Sequence, residues 1–311
     1  MPRPPRIEFP GATYHILSRG VAREETFLQE EDYLAFLEIL GQIVRKDVLI
    51  VHAFSLLPNH IHILGETPRA DLSKWMQILF GRYAGLFNDR HNRVGHLWQD
   101  RYKALLVDDG EYFLNCSRYI HLNPVRAKLA TASEYPWSSY GCYFGFPCPV
   151  DWVFPGKTMS HFSGVEEYRA FVESEREAID PWKNAMAGLV YGGKEFVERI
   201  RHELRNTSHK QSSAVLQGLR RAEQQPTAAE VQVATEKVFA DSSTCQRGIM
   251  VAFALHSFAL LGIEEIASVV KRTPSAVSHS TRTIRARLKH DTTLAAKMEA
   301  VARECGLRVI P

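Results

Sequence analysis

The stretch Pro58-Asn59-His60-Ile61-His62-Ile63-Leu64 decides how this chain folds, because imidazole and aliphatic side chains alternate along it. Successive side chains of a strand point to opposite faces, so His60 and His62 share one face, while Ile61 and Ile63 turn toward a core. The two histidine Cα atoms then lie about 6–7 Å apart, and both rings can bind one cation. The alternative is a half-exposed strand whose histidines bind nothing.

The segments before this strand predict an α/β sheet. Residues 14–19 form a first strand, Glu30–Val44 is an amphipathic helix, and the β-branched run 48–54 is a buried partner strand. The β-α-β order favours a sheet with helices on one side. His15 and His52 also lie on these strands. Each is either a further site residue or a core histidine whose hydrogen bonds are satisfied, and base rates favour the core.

A helix predicted at 111–123 carries the next candidate residues, and Pro124 predicts its end. Tyr119 and Asn123 are four residues apart and are therefore neighbours on one helix face. If this face packs over the histidine strand, the site contains a cation, an amide oxygen and a phenol. That combination suits phosphodiester chemistry, in which a tyrosine attacks phosphorus. The alternative for Tyr119 is an amphipathic residue at a helix–sheet boundary.

Three segments in a fixed order carry a family resemblance: PNHIHIL at 58–64, GHLWQDRYKALLVD at 95–108 and RYIHLNPVRAKL at 118–129. They resemble the single-tyrosine HUH transposases of small bacterial insertion sequences, and most closely the domesticated REP-associated tyrosine transposases. The resemblance covers about residues 8–145. It implies an α+β domain of ferredoxin-like fold, with an antiparallel sheet and helices.

The resemblance also implies a reaction. His60 and His62 become the paired metal ligands, Asn123 the third ligand, and Tyr119 the nucleophile. The implied enzyme cleaves and rejoins single-stranded DNA at hairpin or palindromic repeats through a 5′-phosphotyrosine intermediate. Imidazole ligands favour zinc, whereas the family implies Mg²⁺ or Mn²⁺. Relatives occur as monomers and as homodimers that exchange tyrosine helices, so both states stay open.

Residues 74–103 contain six Lys or Arg and two acidic residues, with aromatic residues between them. Cations bind phosphates, and unpaired bases stack on flat rings. We therefore predict contacts to single-stranded or hairpin DNA from Arg82, Arg90, Arg93, Trp98, Arg101, Tyr102 and Lys103. The alternative is a solvated basic helix whose aromatic side chains fill the core.

The C-terminal region predicts a helix-turn-helix: a helix at 262–270, a turn at 271–274 and a second helix at 275–288. Residues 266–290 include six Lys or Arg and no acidic residue. The region resembles the C-terminal DNA-binding domain of the replication initiator DnaA over about residues 240–290. We predict that it binds duplex DNA through an outward face. The predicted contacts are Ser275, Ser278, His279, Arg282 and Arg285, with Ser280 also outward. The alternative is a helical bundle with a solvated basic face.

Composition sets the remaining expectations. With 311 residues, 45% hydrophobic and 23% charged, the chain has room for about two domains. We predict a transposase domain at 1–149, a helical connecting region at 150–205 and an all-α DNA-binding domain at 206–311. Five cysteines without a CxxC pair argue against a zinc site and a disulfide framework. The apolar stretch 249–263 is shorter than the roughly 20 residues of a membrane span. The expected location is therefore the cytoplasm, without membrane contact.

Three other functions remain open at this stage. A DNA-binding regulator would retain the fold without catalysis, and would not nick single strands. A rolling-circle replication or mobilisation initiator would use the same chemistry at an origin rather than at dispersed repeats. A metal-dependent hydrolase would cut DNA without a covalent protein–DNA intermediate.

Overall fold

The computed structural model describes residues 6–145, 148–174, 179–206, 216, 219, 226–259, 261, 263–288 and 290–307. The chain divides into two compact units, Met1–Gly218 and Leu219–Pro311.

The strands are β1 Ala12–Arg19, β2 Ile50–Leu57, β3 His60–Thr67, β4 Lys103–Val107 and β5 Val190–Tyr191. The helices of the first unit are α1 Glu30–Val44, α2 Leu72–Arg90, α3 Glu111–His121, α4 Asn123–Arg126, α5 Gly156–Met159, α6 Val165–Glu173 and α7 Lys194–Asn206, with 3-10 turns at Val21–Arg23 and Gly141–Tyr143. Those of the second unit are α8 Ala228–Val238, α9 Thr244–Phe258, α10 Ile263–Val269, α11 Pro274–Arg287 and α12 Thr292–Glu304.

The sheet of the first unit has the order β2-β3-β1-β4-β5. Its first four strands are antiparallel to their neighbours, and the β-α-β-β-α-β order around them is the ferredoxin-like arrangement. The predicted fold class, an α+β domain followed by an all-α region, is confirmed. One detail differs, because the short strand β5 runs parallel to β4 and makes the sheet mixed. This strand comes from the region predicted as a helical connection at 150–205.

Alternation along the strands gives the sheet two different faces. One face, called the apolar face, carries Ile61 and Ile63, which have no exposed surface. Right-handed crossovers place α1 and α2 together on this face, and the two helices pack against each other. The other face, called the site face, carries His60, His62 and Leu64 and is partly covered by α3. The predicted alternation around the paired histidines is therefore present.

The backbone between β4 and α3 sets the position of the site helix. Gly110 has a φ of +66° and a ψ of −126°, a conformation that glycine adopts readily. α3 then packs against β2, β3 and β4 through Phe113, Cys116 and Ile120. The helix ends at His121, two residues earlier than predicted. Pro124 does not end it but lies in the first turn of α4, where proline's fixed φ suits a helix start.

The cysteines differ from the sequence expectation in one respect. Cys142 and Cys148 form a disulfide, whereas Cys116, Cys245 and Cys305 are free. The bridge spans a sequence separation of six residues. It is therefore a local link and does not make the framework that the cysteine count argued against.

The helices of the second unit surround one apolar core, in which α9 packs against α8, α10 and α11. Thr273 caps α11 as predicted, because its side chain accepts a hydrogen bond from the Ala276 backbone N–H at 3.3 Å. Val277 and Ile284 of α11 point into the core. Within the described ranges, no helix combines the length and apolar character needed to span a membrane.

Candidate active site

The paired histidines lie on the site face, beside the end of α3 that carries Tyr119. His60 and His62 have ring centroids 5.2 Å apart. On the neighbouring strand β1, Arg19 is directly opposite His60, and Leu17 is opposite His62. His62 is buried and His60 is half-buried. The strand pairing thus places a guanidinium group beside the two imidazoles.

Tyr119 and Asn123 come from the end of α3 and the start of α4. The Tyr119 ring centroid lies 5.7 Å from that of His62. The Asn123 side-chain amide donates to the Tyr119 carbonyl at 3.0 Å, the one-turn relation expected for residues four apart. All four predicted residues line one cavity of about 620 Å³, together with Arg19 and Arg126. The structure therefore brings the four side chains together.

The hydrogen bonds of the three candidate ligands leave one donor atom on each for a cation. The Asn59 amide nitrogen donates to the Arg23 carbonyl at 3.1 Å, which turns its oxygen toward His60. That oxygen lies 2.6 Å from His60 Nδ1, so Nδ1 carries the proton and Nε2 keeps its lone pair.

His62 and Asn123 follow the same pattern. His62 Nδ1 lies 2.9 Å from His15 Nε2, which leaves Nε2 as the remaining ring nitrogen. The Asn123 amide nitrogen is bound to Tyr119, which leaves its oxygen. Partners that fix the far side of each ligand are typical of metal sites, so these residues fit a divalent ion. In the part of the chain that the structure describes, no three His, Cys, Asp or Glu residues cluster as a ligand set. The third donor would therefore be the Asn123 amide.

Burial keeps the two imidazoles neutral and the phenol protonated at pH 7. Burial lowers the pKa of His60 to about 4, with a smaller contribution from the Arg19 charge. Burial, followed by the neighbouring His15, lowers the pKa of His62 well below its usual value. A neutral imidazole is the form that binds metals. Burial, followed by the Asp180 charge, raises the pKa of Tyr119 to about 12, while Arg126 and Arg19 oppose the shift.

Cations surround Tyr119 on the cavity side. The Arg126 guanidinium carbon lies 4.7 Å from the centroid of the Tyr119 ring. Arg23, Arg101 and Lys103 also line the cavity. None of the five cations in this wall, Arg19, Arg23, Arg101, Lys103 and Arg126, forms a salt bridge with a residue that the structure describes. Two acidic residues, Asp100 and Asp180, line the same cavity, so cations outnumber acids in its wall and the cavity can attract a phosphate.

The other predicted DNA contacts of the first unit lie outside this cavity. Arg90 binds the buried Asp32 at 2.6 Å, and Arg93 binds Glu24 at 2.7 Å. Arg82 donates to the Gln42 side chain at 3.0 Å. Of the seven predicted residues, only Arg101 and Lys103 line the same cavity as Tyr119.

The two predicted aromatic contacts are largely committed to packing. The indole N–H of Trp98 donates to the Phe80 carbonyl at 3.1 Å, and its ring packs on that of Phe80. Tyr102 also stacks on Phe80, and the Arg6 guanidinium lies 3.5 Å from the Tyr102 ring centroid. Tyr102 lines a neighbouring cavity that shares Arg101 and Lys103 with the first.

The sequence leaves His15 open between a site residue and a core residue, and it does not predict several other residues of the site. His15 contacts both His62 and Tyr119, with ring centroids 5.1 and 5.7 Å away, rather than being a satisfied core histidine. Its position on β1, on the same face as His62, is a signal that the strand prediction contains. Arg126 follows Asn123 within one turn, so helical spacing could have indicated it. Asp180 and Trp182 lie about sixty residues beyond Tyr119, and nothing local in the sequence connects them to the cavity.

Most of the predicted outward face of α11 is accessible. Ser275, His279, Arg282 and Arg285 are exposed, and Ser278 is half-buried. Ser280 is buried instead of outward, because it lies three residues after Val277 and four before Ile284 on the core side of the helix. An exposed basic stripe therefore remains on this helix.

Comparison with known proteins gives one family. Residues 9–123 match the profile of the family described as "Transposase IS200 like". A solved structure of a REP-associated tyrosine transposase bound to a REP hairpin aligns with 50% of this chain and 92% of that chain, at 19% identity and a TM-score of 0.40. No curated protein matches the chain. The matched residues include the paired histidines, the tyrosine and the asparagine of the cavity. Residues 9–123 of this chain are therefore similar to the IS200-like transposase family.

Proposed function

We propose that the first unit cleaves and rejoins single-stranded DNA at hairpin-forming repeats through a covalent bond between Tyr119 and a 5′ phosphate. The observation that carries the proposal is the approach of the Tyr119 ring to His62, with centroids 5.7 Å apart in one cavity. The family match supports the reaction class.

The residues of the cavity have separate roles in this reaction. Arg19 and Arg126 bind the scissile phosphate and offset the negative charge that grows in the transition state. The Tyr119 phenol loses its proton to solvent as its oxygen attacks phosphorus. The bond from phosphorus to the 3′ oxygen breaks, and that oxygen takes up a proton as a free 3′-hydroxyl. Attack by a 3′-hydroxyl on the phosphotyrosine reverses the step. The phosphotyrosine bond thus conserves the energy of the broken phosphodiester bond until the strands are rejoined.

His60, His62 and the Asn123 oxygen are the residues that would hold a divalent ion. Such an ion, Mg²⁺ or Mn²⁺, would polarise a non-bridging oxygen of the phosphate when bound. Asn59 and His15 keep the two imidazoles oriented toward the cavity from behind. The neutral state of both rings favours binding at pH 7, since neither must lose a proton first.

The experiment uses labelled single strands that form a hairpin with randomised flanks, incubated with the full chain and Mn²⁺. Wild type should give a protein–DNA adduct that survives denaturing electrophoresis, and Tyr119→Phe should give none. Tyr112→Phe is the matched control, because Tyr112 lies on the same helix but packs against Tyr191, 4.9 Å between ring centroids. An adduct in Tyr119→Phe at the wild-type level would remove the assignment. Cleavage without any adduct would favour a hydrolase instead.

The second unit is proposed to bind duplex DNA through α11. The support is the exposed face of α11, which carries Ser275, His279, Arg282 and Arg285. This helix follows a short turn and is capped at its start by Thr273. Fluorescence anisotropy with a random-sequence duplex tests this at several salt concentrations. Arg282→Ala should weaken binding. It should also reduce the salt slope, which is the slope of the logarithm of the binding constant against the logarithm of the salt concentration, by about one. Arg303→Ala, an exposed arginine of α12, should change neither. Equal effects of both variants would contradict a binding face on α11.

A further inference from the structure

His15 is fully buried on β1 and touches the site only through its neighbours. Its Nε2 lies 2.9 Å from His62 Nδ1, and its ring packs on Trp182 with centroids 5.1 Å apart. It is absent from the cavity wall, whereas His62 and Trp182 line it. His15 can therefore act on a bound substrate only through the cavity residues that it contacts, and of these only His62 is hydrogen-bonded to it.

The contact between the two rings admits two proton arrangements. A neutral imidazole has one N–H donor and one acceptor nitrogen. If His62 Nδ1–H donates to His15 Nε2, then His62 Nε2 keeps a lone pair for a cation. If His15 donates instead, His62 Nε2 carries the proton and binds no metal. His60 has no such choice, because the Asn59 oxygen can only accept from its Nδ1.

The environment of His15 makes the choice sensitive to what occupies the cavity. His15 Nδ1 is buried without a hydrogen-bond partner among the described residues. In the metal-binding arrangement this nitrogen carries a proton that no acceptor receives. In the other arrangement it is only an unpaired acceptor. The metal-binding arrangement is therefore the less favourable one for His15 itself, and a cation at His62 Nε2 would compensate for it.

We infer that His15 is a positioning residue that holds the His62 ring in place and sets its tautomer in step with cation binding. The inference rests on the proposed function, since it assigns His62 as a metal ligand. It adds a residue from the first strand to the machinery of the site. Outer partners of ligating histidines are worth about 10- to 100-fold in metal affinity.

The test is the affinity of the full chain for Mn²⁺, measured by calorimetry without DNA. His15→Phe retains a buried ring but no hydrogen bond, and should weaken Mn²⁺ binding about 10-fold or more. His15→Gln places an amide near the position of Nε2 and should recover most of the affinity. His15→Asn is too short to reach His62 and should resemble His15→Phe, which gives a second measurement if the phenylalanine variant does not fold.

His52→Gln is the matched control, because His52 is also a buried strand histidine but contacts Glu66 and the Phe154 carbonyl. The Mn²⁺ affinity of the His52→Gln variant should equal that of wild type. A second readout is the ¹⁵N spectrum of the His62 ring with Mg²⁺. Wild type should show the Nδ1–H tautomer alone, and His15→Phe should show a mixture.

The outcomes separate the two proposals. Wild type that binds no Mn²⁺, or binds it unchanged after His60→Ala, would overturn the proposed metal site and this inference with it. Binding that needs His60 but is equal in wild type, His15→Phe and His15→Asn would overturn the role of His15 alone. Loss of affinity in His15→Phe, with recovery in His15→Gln, supports it.

Discussion

Arginines on the two sides of the sheet differ in whether they have an acidic partner. On the side of the apolar face, Asp32 of α1 has no exposed surface and binds Arg90 at 2.6 Å. On the site face, Arg19 and Arg126 lie beside a tyrosine and line an open cavity. Cations of the first kind hold helices together, and cations of the second kind are available to a ligand. The position of acidic partners, rather than the number of arginines, therefore separates cations that hold the fold together from cations that remain available to a ligand.

Removing a cation from the site face should have the largest effect. In the proposed reaction, Arg126→Gln takes a guanidinium group away from the place where negative charge would develop in the transition state. We expect the rate of adduct formation to fall about 10²- to 10³-fold, with an unchanged melting temperature. Single-turnover assays on the hairpin strand measure the rate. Lys128→Gln, an exposed cation two residues further on, is the control and should cleave normally. A loss below threefold in Arg126→Gln would mean that this arginine does not contact the phosphate.

Removing a charge on the other side should affect folding instead. Asp32 accepts hydrogen bonds from Arg90, from His91 and from two backbone N–H groups before α1. Asp32→Asn leaves the arginine without its counter-charge and should lower the free energy of unfolding by about 3 kcal/mol. Urea unfolding measures this change. The exposed Glu31→Gln, next to it on α1, should cost little. Slower cleavage by folded Asp32→Asn protein would contradict the prediction that this charge affects folding alone.

The sequence predicts the part of the site that depends on local periodicity. Alternation in β3 gives the shared face of His60 and His62, and helical spacing gives the neighbourhood of Tyr119 and Asn123. The ferredoxin-like sheet follows from the order of elements and the family resemblance. The first two features depend on residues within a few positions of one another, so their pattern is visible in a single line of sequence.

The contacts that the sequence could not give are made over long separations. Arg90 meets Asp32 across 58 residues, and Lys157 meets Glu66 across 91. A basic run looks the same whether its charges face solvent or a buried carboxylate. Asp180 reaches the cavity through a region with no strong periodicity. Partner choice of this kind depends on how helices pack, which composition does not record.

Acid should weaken the site face before the apolar face. His121 of α3 is buried between Tyr168 and Ser139, with both contacts at 2.9 Å. Burial lowers its pKa from 6.5 to about 3, so the unfolded chain binds this proton first as pH falls. Its contribution to stability is complete above about pH 6.5 and is lost as pH falls toward 3. The pKa of Asp32 is also lowered from 3.8, so its contribution persists above that pH.

The measurement is the free energy of unfolding at pH 7 and pH 5. Wild type should lose about 2 kcal/mol between these values on account of His121 alone. His121→Gln should be less stable at pH 7 but should lose about 2 kcal/mol less on acidification. Asp32→Asn should retain the full wild-type loss. If wild type and His121→Gln lose the same free energy of unfolding between pH 7 and pH 5, protonation of His121 does not contribute to the pH dependence of stability.

The smallest expected effect separates two of the predicted DNA contacts. Lys103 lies in the cavity wall, whereas Arg82 of α2 binds Gln42 of α1. Lys103→Ala should weaken single-strand binding a few-fold and reduce the salt slope by about one, because one phosphate contact is lost. Arg82→Ala should change affinity less than twofold. Anisotropy titrations at 50–200 mM salt compare the two variants in the Tyr119→Phe background, where no cleavage interferes. Equal slopes for both variants would place DNA on the α1 and α2 side as well, and the contrast between the faces would then hold for catalysis but not for binding.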